Sequence, residues 1–292
     1  MKKLLDNFIR YPVEGLFIMF IYSIFKLMPL DTASKLGSII TRAIGPNLNV
    51  NKVILRNLKR AYPDMNDAWY KKINNETWDN FGRVAAEYSH ISTLASTKSG
   101  RIKIIENEHF KKFFDDSDSK ILVSAHNANW EVMGITCRKK SNKISGIVRQ
   151  PNNPYARNII NSLRDKFSVK CYEKNMIGTK KIINDFNNGN SLALLADLKL
   201  NSGIDSKFFD INAKTTTLPA QIALKYKRQI YLAWAKRTQK SNFEVEFFSP
   251  INSDNIENNS INIKKITDQI NQFFEKKISE NPGQYFWLHN RW

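Results

Sequence analysis

The sequence predicts an α/β fold: a central, mostly parallel mixed sheet flanked by helices, preceded by a membrane-anchoring helical segment. Three observations lead there. After about residue 101, short apolar runs alternate with amphipathic stretches long enough for helices. The last two runs are separated by the short polar stretch RTQKSN. An apolar amino-terminal stretch precedes some seventy residues of helical character, roughly 31–100. Alternation of this kind is the signature of strands laid side by side with helices returning over the sheet. The chain divides accordingly into an anchor (1–30), a helical region packed on the core (31–100) and the α/β core (101–292).

The first element is MKKLLDNFIRYPVEGLFIMFIYSIFKLMPL. Its uncharged core runs from Gly15 to Phe25, between Glu14 and Lys26. A full crossing needs about 20 apolar residues. Eleven helical residues reach only about 16 Å, roughly one leaflet. Lys26 can snorkel if the stretch is extended to Leu30. A cleaved signal peptide would want a small-x-small site after the apolar run, and none follows. A buried amphipathic helix is the alternative. The favoured reading is an anchor that enters one leaflet, with Lys2, Lys3, Arg10 and Lys26 meeting anionic headgroups.

Helical signals follow. DTASKLGSIITRAIG carries Asp31 as a cap and apolar residues at helical spacing. In NVNKVILRNLKRAYP, Lys52, Arg56, Lys59 and Arg60 form a basic stripe, and Pro63 ends the pattern. The stripe is either a solvated face or a second contact with a membrane. NDAWYKKINNETWDNFGRVAAEYSHIS continues the helical character. The strand candidates are KILVSA (120–125), SGIVR (145–149), VKCYE (169–173), SLALLAD (191–197), IYLAWAK (230–236) and FEVEFF (243–248). The last two predict a hairpin at one edge of the sheet. ITDQINQFFEKKISENP reads as a final helix stopped near Pro282.

Composition bounds the function. With 292 residues and 42% hydrophobic content the chain can bury a real core. Cys137 and Cys171, the two cysteines, supply neither a disulfide framework nor metal-ligand spacing. The net charge of +18 suits nucleic acid, an anionic membrane surface or an acidic protein or phosphorylated substrate. A general enrichment in Lys, Asn and Ile accounts for part of it. No recognition motif or platform of interleaved aromatic and basic residues supports nucleic acid as the partner. Phosphate-binding glycine loops, CxxC pairs and the GxSxG elbow are missing, so no cofactor, metal or serine nucleophile is indicated.

One stretch carries chemistry. In ILVSAHNANWEVMG (121–134) an apolar strand ends on His126, one of four histidines, and Glu131 follows five residues later. Ligands bind at the carboxyl edge of an open α/β sheet. On one regular helix the two side chains would diverge by about 140°, since each residue turns about 100°. They meet only if His126 lies in the turn and Glu131 in the first helical turn. A histidine so placed can take the proton of an attacking hydroxyl. A carboxylate on its other nitrogen fixes the tautomer. The helix amino end offers N–H groups to a developing oxyanion. Asn127 or Asn129 can cap that helix. Arg149 and Asp197 end two further predicted strands at the same edge, where a guanidinium fork suits a phosphate. An ion pair for Arg149 and a turn cap for Asp197 are the structural alternatives. Asn152 and Asn153, before Pro154, read as turn residues.

HNANWE resembles the H-x4-[DE] box of the bacterial lipid A biosynthesis late acyltransferases, the lauroyl/myristoyl acyltransferase family. Further blocks match in order: VRQPNNP (148–154), LLADLKLNSGIDSKFFDINAKTTTLPAQIALKY (194–226) and QYFWLHNRW (284–292). PLDTASKLG and LRNLKRAYPDM also resemble its amino-terminal region, so the likeness covers nearly the whole chain. It implies an acyltransferase-like fold and transfer of a fatty acyl group to a hydroxyl of a lipid A precursor or related glycolipid. The donor would be an acyl carrier protein thioester, or acyl-CoA, and the enzyme would sit on the cytoplasmic face of the inner membrane. His126 would be the base and Glu131 its partner. Arg149 would contact an anionic group and Asp197 would shape the site, with Asn129 and Asn153 of the same blocks counted among the substrate-binding candidates. Two departures bear on the acceptor. Leu198 and Lys199 stand where the family usually has glutamine after the aspartate, and Asp210 where glycine usually follows the Phe-Phe pair. Another lipid acceptor (a lysophospholipid, glycerol phosphate, a mannosylated or amino-acid lipid) would use the same histidine chemistry. A lipid-binding protein without catalysis would not need His126. At the carboxyl end Trp287, His289, Arg291 and Trp292 suit either membrane anchoring or, for Trp287 especially, core packing.

Overall fold

The computed structural model describes residues 6–115, 118–141, 143–253 and 255–292. Lys2 and Lys3, expected at headgroups, lie outside the described residues. Five helices come first: α1 (Tyr11–Leu27), α2 (Leu30–Ile44), α3 (Asn51–Ala61), α4 (Asp67–Glu87) and the short α5 (Ile91–Ala95). The helical stretch through α1, Phe8–Leu27, has 20 residues and is long and apolar enough to cross a membrane by length and composition. It exceeds the eleven-residue core because the helix runs on past Glu14 and Lys26. Val13, Leu16, Phe17 and Phe20 are exposed on it, whereas Phe25 is buried against Ala33 and Ala86.

Small residues let α2 and α4 cross closely. The buried face of α2 is Leu30, Ala33, Ser34, Gly37 and Ser38, at spacings of three and four. A methyl group on Gly82 would lie 2.2 Å from the Gly37 carbonyl oxygen and 2.1 Å from the Thr41 hydroxyl. Gly82→Ala must therefore separate the two helices. It is expected to cost about 1–3 kcal/mol, read as a lower midpoint in thermal unfolding. Asp31 is not the cap of α2. The helix starts at Leu30, and the Asp31 carboxylate accepts from Arg101 Nη1 at 2.9 Å. On α3 the residues Ile54, Asn57, Leu58 and Ala61 face the core, and Lys52, Arg56, Lys59 and Arg60 are exposed.

The strands that follow are β1 (Ile102–Ile105), β2 (Ile121–Ser124), β3 (Ile144–Val148), β4 (Lys170–Glu173), β5 (Ser191–Leu195), β6 (Ile204–Phe208), β7 (Ile211–Thr215), β8 (Ile230–Arg237) and β9 (Phe243–Ile251). Seven of them form the core sheet, in the order β1-β9-β8-β2-β5-β3-β4. Every neighbouring pair is parallel except β8 and β9. The remaining helices are α6 (Glu108–Asp115), α7 (Glu131–Lys140), α8 (Pro154–Phe167), α9 (Met176–Asn187), α10 (Leu218–Tyr226) and α11 (Ser260–Glu280). The mostly parallel mixed sheet is the one the alternation predicts.

Two details differ. The β8–β9 hairpin is not at the edge, because β1 pairs with β9 from Ile102↔Phe243 onward. A second, two-stranded sheet joins β6 and β7. Its turn places Phe209 and Asp210 at φ 50° and 56°. Aspartate tolerates the left-handed region better than most residues. The departure from glycine at position 210 is thus a matter of turn geometry. At the carboxyl end Trp287 and Arg291 are buried, so neither is an interfacial anchor. Arg291 donates to the Lys214 carbonyl and the Thr215 hydroxyl.

Candidate active site

Parallel register builds the site. Ser124 lies opposite Leu195 in the β2–β5 pair. Two residues beyond each, His126 and Asp197 come level at the carboxyl edge. His126 Nδ1 donates to Asp197 Oδ1 at 2.8 Å. The Asp197 side chain is fully buried. Burial acts to raise its carboxyl, but the charge and hydrogen bonds of His126 outweigh it and hold the pKa below the ordinary 3.8. Asp197 therefore remains a carboxylate at neutral pH. With Nδ1 committed, Nε2 is the ring nitrogen left for a substrate.

The turn after β2 is held by distant segments. Ala128 adopts φ 49°, and its N–H donates to the Gln284 carbonyl. The Phe286 N–H donates to the His126 carbonyl at 3.0 Å. Asn80 Nδ2 bridges the carbonyls of Ala128 and Gln284. Trp130 and Phe286 flank the imidazole, with ring centroids 5.6 and 6.0 Å away. The carboxyl-terminal block thus supports the histidine from behind. His289 is close as well: its Nε2 accepts from the Lys199 N–H at 3.2 Å, and burial lowers its pKa from 6.5.

The expected contact between His126 and Glu131 does not form. Glu131 starts α7 pointing toward α8, where Arg164 Nη2 donates to its Oε1 at 2.6 Å. Tyr88 donates its hydroxyl to the same oxygen at 2.7 Å. Burial lowers the Arg164 pKa, but the Glu131 carboxylate more than reverses this. Burial and the Glu131 charge push the Tyr88 phenol well above 10.0. His126 has its carboxylate from β5 instead, because β5 lies next to β2 in the sheet.

A cavity of about 760 Å³ opens beside His126. Glu131, Arg164 and Arg149 line it. So do Leu122, Met133, Val169 and Cys171, which supply an apolar wall. Gly146 and Ala193, on neighbouring strands, leave room along the sheet. Arg149 is exposed at the end of β3 and makes no hydrogen bond or salt bridge among the described residues. Burial, and then the charge of Arg149, lower the pKa of Lys174, which lines the same cavity.

Asn129 and Asn153 do not line it. Asn129 is fully buried; its Oδ1 accepts from the Glu131 N–H and its Nδ2 donates to Glu87 Oε2. Its carbonyl takes the Val132 N–H. Those two N–H groups at the start of α7 are therefore already bonded and do not face an oxyanion. Asn153 caps α8 by accepting from the Tyr155 N–H. Its Nδ2 donates to the Tyr11 carbonyl and to Glu14 Oε2, which ties α8 to α1. Asn152, its neighbour, does line the cavity. Among the described residues no cluster of three or more His, Cys, Asp or Glu is arranged to hold a metal ion.

Comparison with known proteins gives the class: the chain is an acyltransferase that acts on a lipid. Residues 5–292 match the family described as bacterial lipid A biosynthesis acyltransferase, and the chain belongs to that family. Among solved structures it is similar to the 1-acyl-sn-glycerophosphate (LPA) acyltransferase PlsC from Thermotoga maritima. That similarity has 9% identity and a TM-score of 0.40, and covers 82% of this chain and 98% of the other. Comparison with curated proteins gave no match.

Proposed function

We propose that the protein transfers a fatty acyl group from an acyl carrier protein thioester to a hydroxyl of a lipid A precursor, at the cytoplasmic face of the inner membrane. The observation that carries this reading is the His126–Asp197 hydrogen bond beside a cavity with an apolar wall. His126 Nε2 takes the hydroxyl proton as the oxygen attacks the thioester carbonyl. The carbon–oxygen bond forms, the carbon–sulfur bond breaks, and the imidazolium returns its proton to the departing thiolate. Asp197 holds the tautomer and stabilises the imidazolium between those steps. The acyl chain lies along Leu122, Met133 and Val169. Supplying membranes with a set of acyl carrier protein and CoA thioesters and candidate acceptors, then weighing the lipid products, tests donor and acceptor together. Acylation of a lysophospholipid in place of the glycolipid would overturn the acceptor assignment. Leu198 lines the cavity directly after Asp197, so the family departure there lies within reach of the acceptor.

Arg149 is the proposed anion contact. Arg149→Lys keeps the charge and loses the planar fork, so it is expected to behave as a damaging change. Arg149→Ala removes a charge-assisted contact of roughly 1.5–3 kcal/mol, raising KM for the acceptor or donor. Steady-state kinetics on variants that unfold at the parental temperature provide the check. Unchanged constants for both substrates would make Arg149 a structural residue. The exposed apolar face of α1 enters the bilayer in this reading. Salt screens headgroup attraction but leaves apolar insertion intact. Washing membranes with high salt is expected to leave the protein bound, and detergent to release it. Recovery in the soluble fraction at moderate salt would contradict insertion.

A further inference from the structure

The start of α9 presents two large apolar side chains to solvent side by side, Met176 and Ile177, at 75% and 64% exposure. Local bonding builds this tip firmly. The Lys174 N–H donates to the Val148 carbonyl at 2.7 Å, which fastens the tip to the strand end that carries Arg149. Asn175 caps α9 by accepting from the Gly178 N–H. Any side chain at Gly178 would meet the Glu173 carbonyl at 1.9 Å, so the close turn requires glycine. Lys174 and Thr179, on either side of the apolar pair, line the cavity of the candidate site. The pair therefore stands, largely exposed, at the cavity mouth.

We propose that Met176 and Ile177 form a second membrane contact, which inserts into the surface of an anionic bilayer and turns the cavity mouth toward its lipid substrate. The inference rests on the reading that the acceptor is a membrane lipid. Charge complementarity supports it: residues 173–181 include Lys174, Lys180 and Lys181 against the single acid Glu173, and Arg149 lies alongside. Basic residues around an inserted apolar tip meet anionic headgroups while the apolar side chains pass below them. Continuity with α1 also supports it. Asn153 bonds Tyr11 and Glu14 on α1, and Gly15 packs on the Tyr155 ring. The preceding residues Gln150, Pro151 and Asn152 line the cavity. The mouth is thus bordered on one side by the segment bound to the exposed apolar helix and on another by the Met176–Ile177 tip. An acidic carrier protein would be drawn to the same lysines. Apolar surface at both borders of the mouth favours the bilayer.

The test places a photoreactive benzophenone side chain, in the full-length protein, at position 177, at position 17 on α1, or at position 188 at the far end of α9. Each protein is reconstituted with phosphatidylglycerol-containing vesicles and illuminated with and without acyl carrier protein. Lipid adducts are expected at 17 and 177 and not at 188, with the yield at 177 falling in vesicles of phosphatidylcholine alone. The paired change Met176→Ser with Ile177→Ser is expected to raise KM for vesicle-embedded acceptor by about tenfold or more, since each tenfold corresponds to about 1.4 kcal/mol. Its kinetics on acceptor dispersed in detergent micelles should stay at the parental level. Lipid adducts at 17 with only carrier-protein adducts, or none, at 177 would overturn the inference and leave the anchor reading standing. Absence of lipid adducts at 17 as well would remove the anchor reading and this inference together.

Discussion

His126→Ala is expected to lower turnover by about 10²- to 10⁴-fold and to lower the thermal midpoint as well, because it leaves the fully buried Asp197 carboxylate without its partner. The imidazole itself is part-exposed at the cavity, so the loss of stability comes from the stranded charge rather than from a hole in the core. Asp197→Asn should lose activity on a similar scale for a different reason. An amide beside Nδ1 stabilises no positive charge, and by offering its N–H to Nδ1 it selects the wrong tautomer. The His126→Ala variant also separates from the parent by pH. The Asp197 carboxyl is depressed on balance, because His126 outweighs burial. Its contribution to stability is therefore complete above the ordinary carboxylate value of 3.8 and is lost as pH falls through the lower folded value. The stability gap between the parent and His126→Ala should be full at neutral pH and narrow below about pH 4, since the alanine variant lacks the partner that depresses Asp197. Turnover near the parental rate in a folded His126→Ala protein would remove the histidine mechanism altogether.

Much of this arrangement can be read from the chain, and the limit has a physical cause. Apolar runs mark β2, β3, β5 and β8 because strands inside a mostly parallel sheet are nearly continuous in hydrophobicity, whereas β9 is marked by the alternation of FEVEFF and the edge strand β4 by the short run VKCYE. The four-residue strand β1 carries no such mark, because IKII is short and only half-buried. The pair β6–β7 is hidden because its turn is Phe209-Asp210, with no glycine to signal it. Placing His126 at a strand's carboxyl end needs only local pattern. Its carboxylate partner does not follow from that pattern. Asp197 is 71 residues away and arrives through the insertion of β5 between β2 and β3, a strand order that no periodicity encodes. Glu131 draws the assignment by being near in sequence. Asn129 and Asn153, from the same sequence blocks, do not line the cavity. Asn153 caps α8 and Asn129 accepts from the Glu131 N–H, and their remaining hydrogen bonds fasten the site to α1 and to Glu87.

Glu131→Gln is expected to be severe as well, through a route that the paired carboxylate defines. Glu131 and Arg164 are nearly buried, with side-chain exposures of 7% and 16%. Both oxygens of Glu131 lie 3.2 Å from Arg164 Nε, and Tyr88 adds a third donor. Removing one partner of a buried ion pair strands the other charge and costs about 3–5 kcal/mol. The glutamine side chain would keep the shape and leave the guanidinium without its counter-charge at the cavity wall. Turnover should fall together with the unfolding midpoint. Arg164→Met strands Glu131 in the same way. Combining Glu131→Gln with Arg164→Met leaves no buried charge unpaired, so the double variant should be more stable than the sum of the single losses. Coupling of that sign, measured by denaturant unfolding of all four proteins, identifies the pair as the strut between α7 and α8. Activity then assigns the role. If the double variant regains stability and much of its turnover, Glu131 positions the wall and His126 works with Asp197 alone. If stability returns while turnover stays lost, a charge at that wall takes part in binding or in the reaction itself. Additive stability losses would show that the two side chains do not act as a unit.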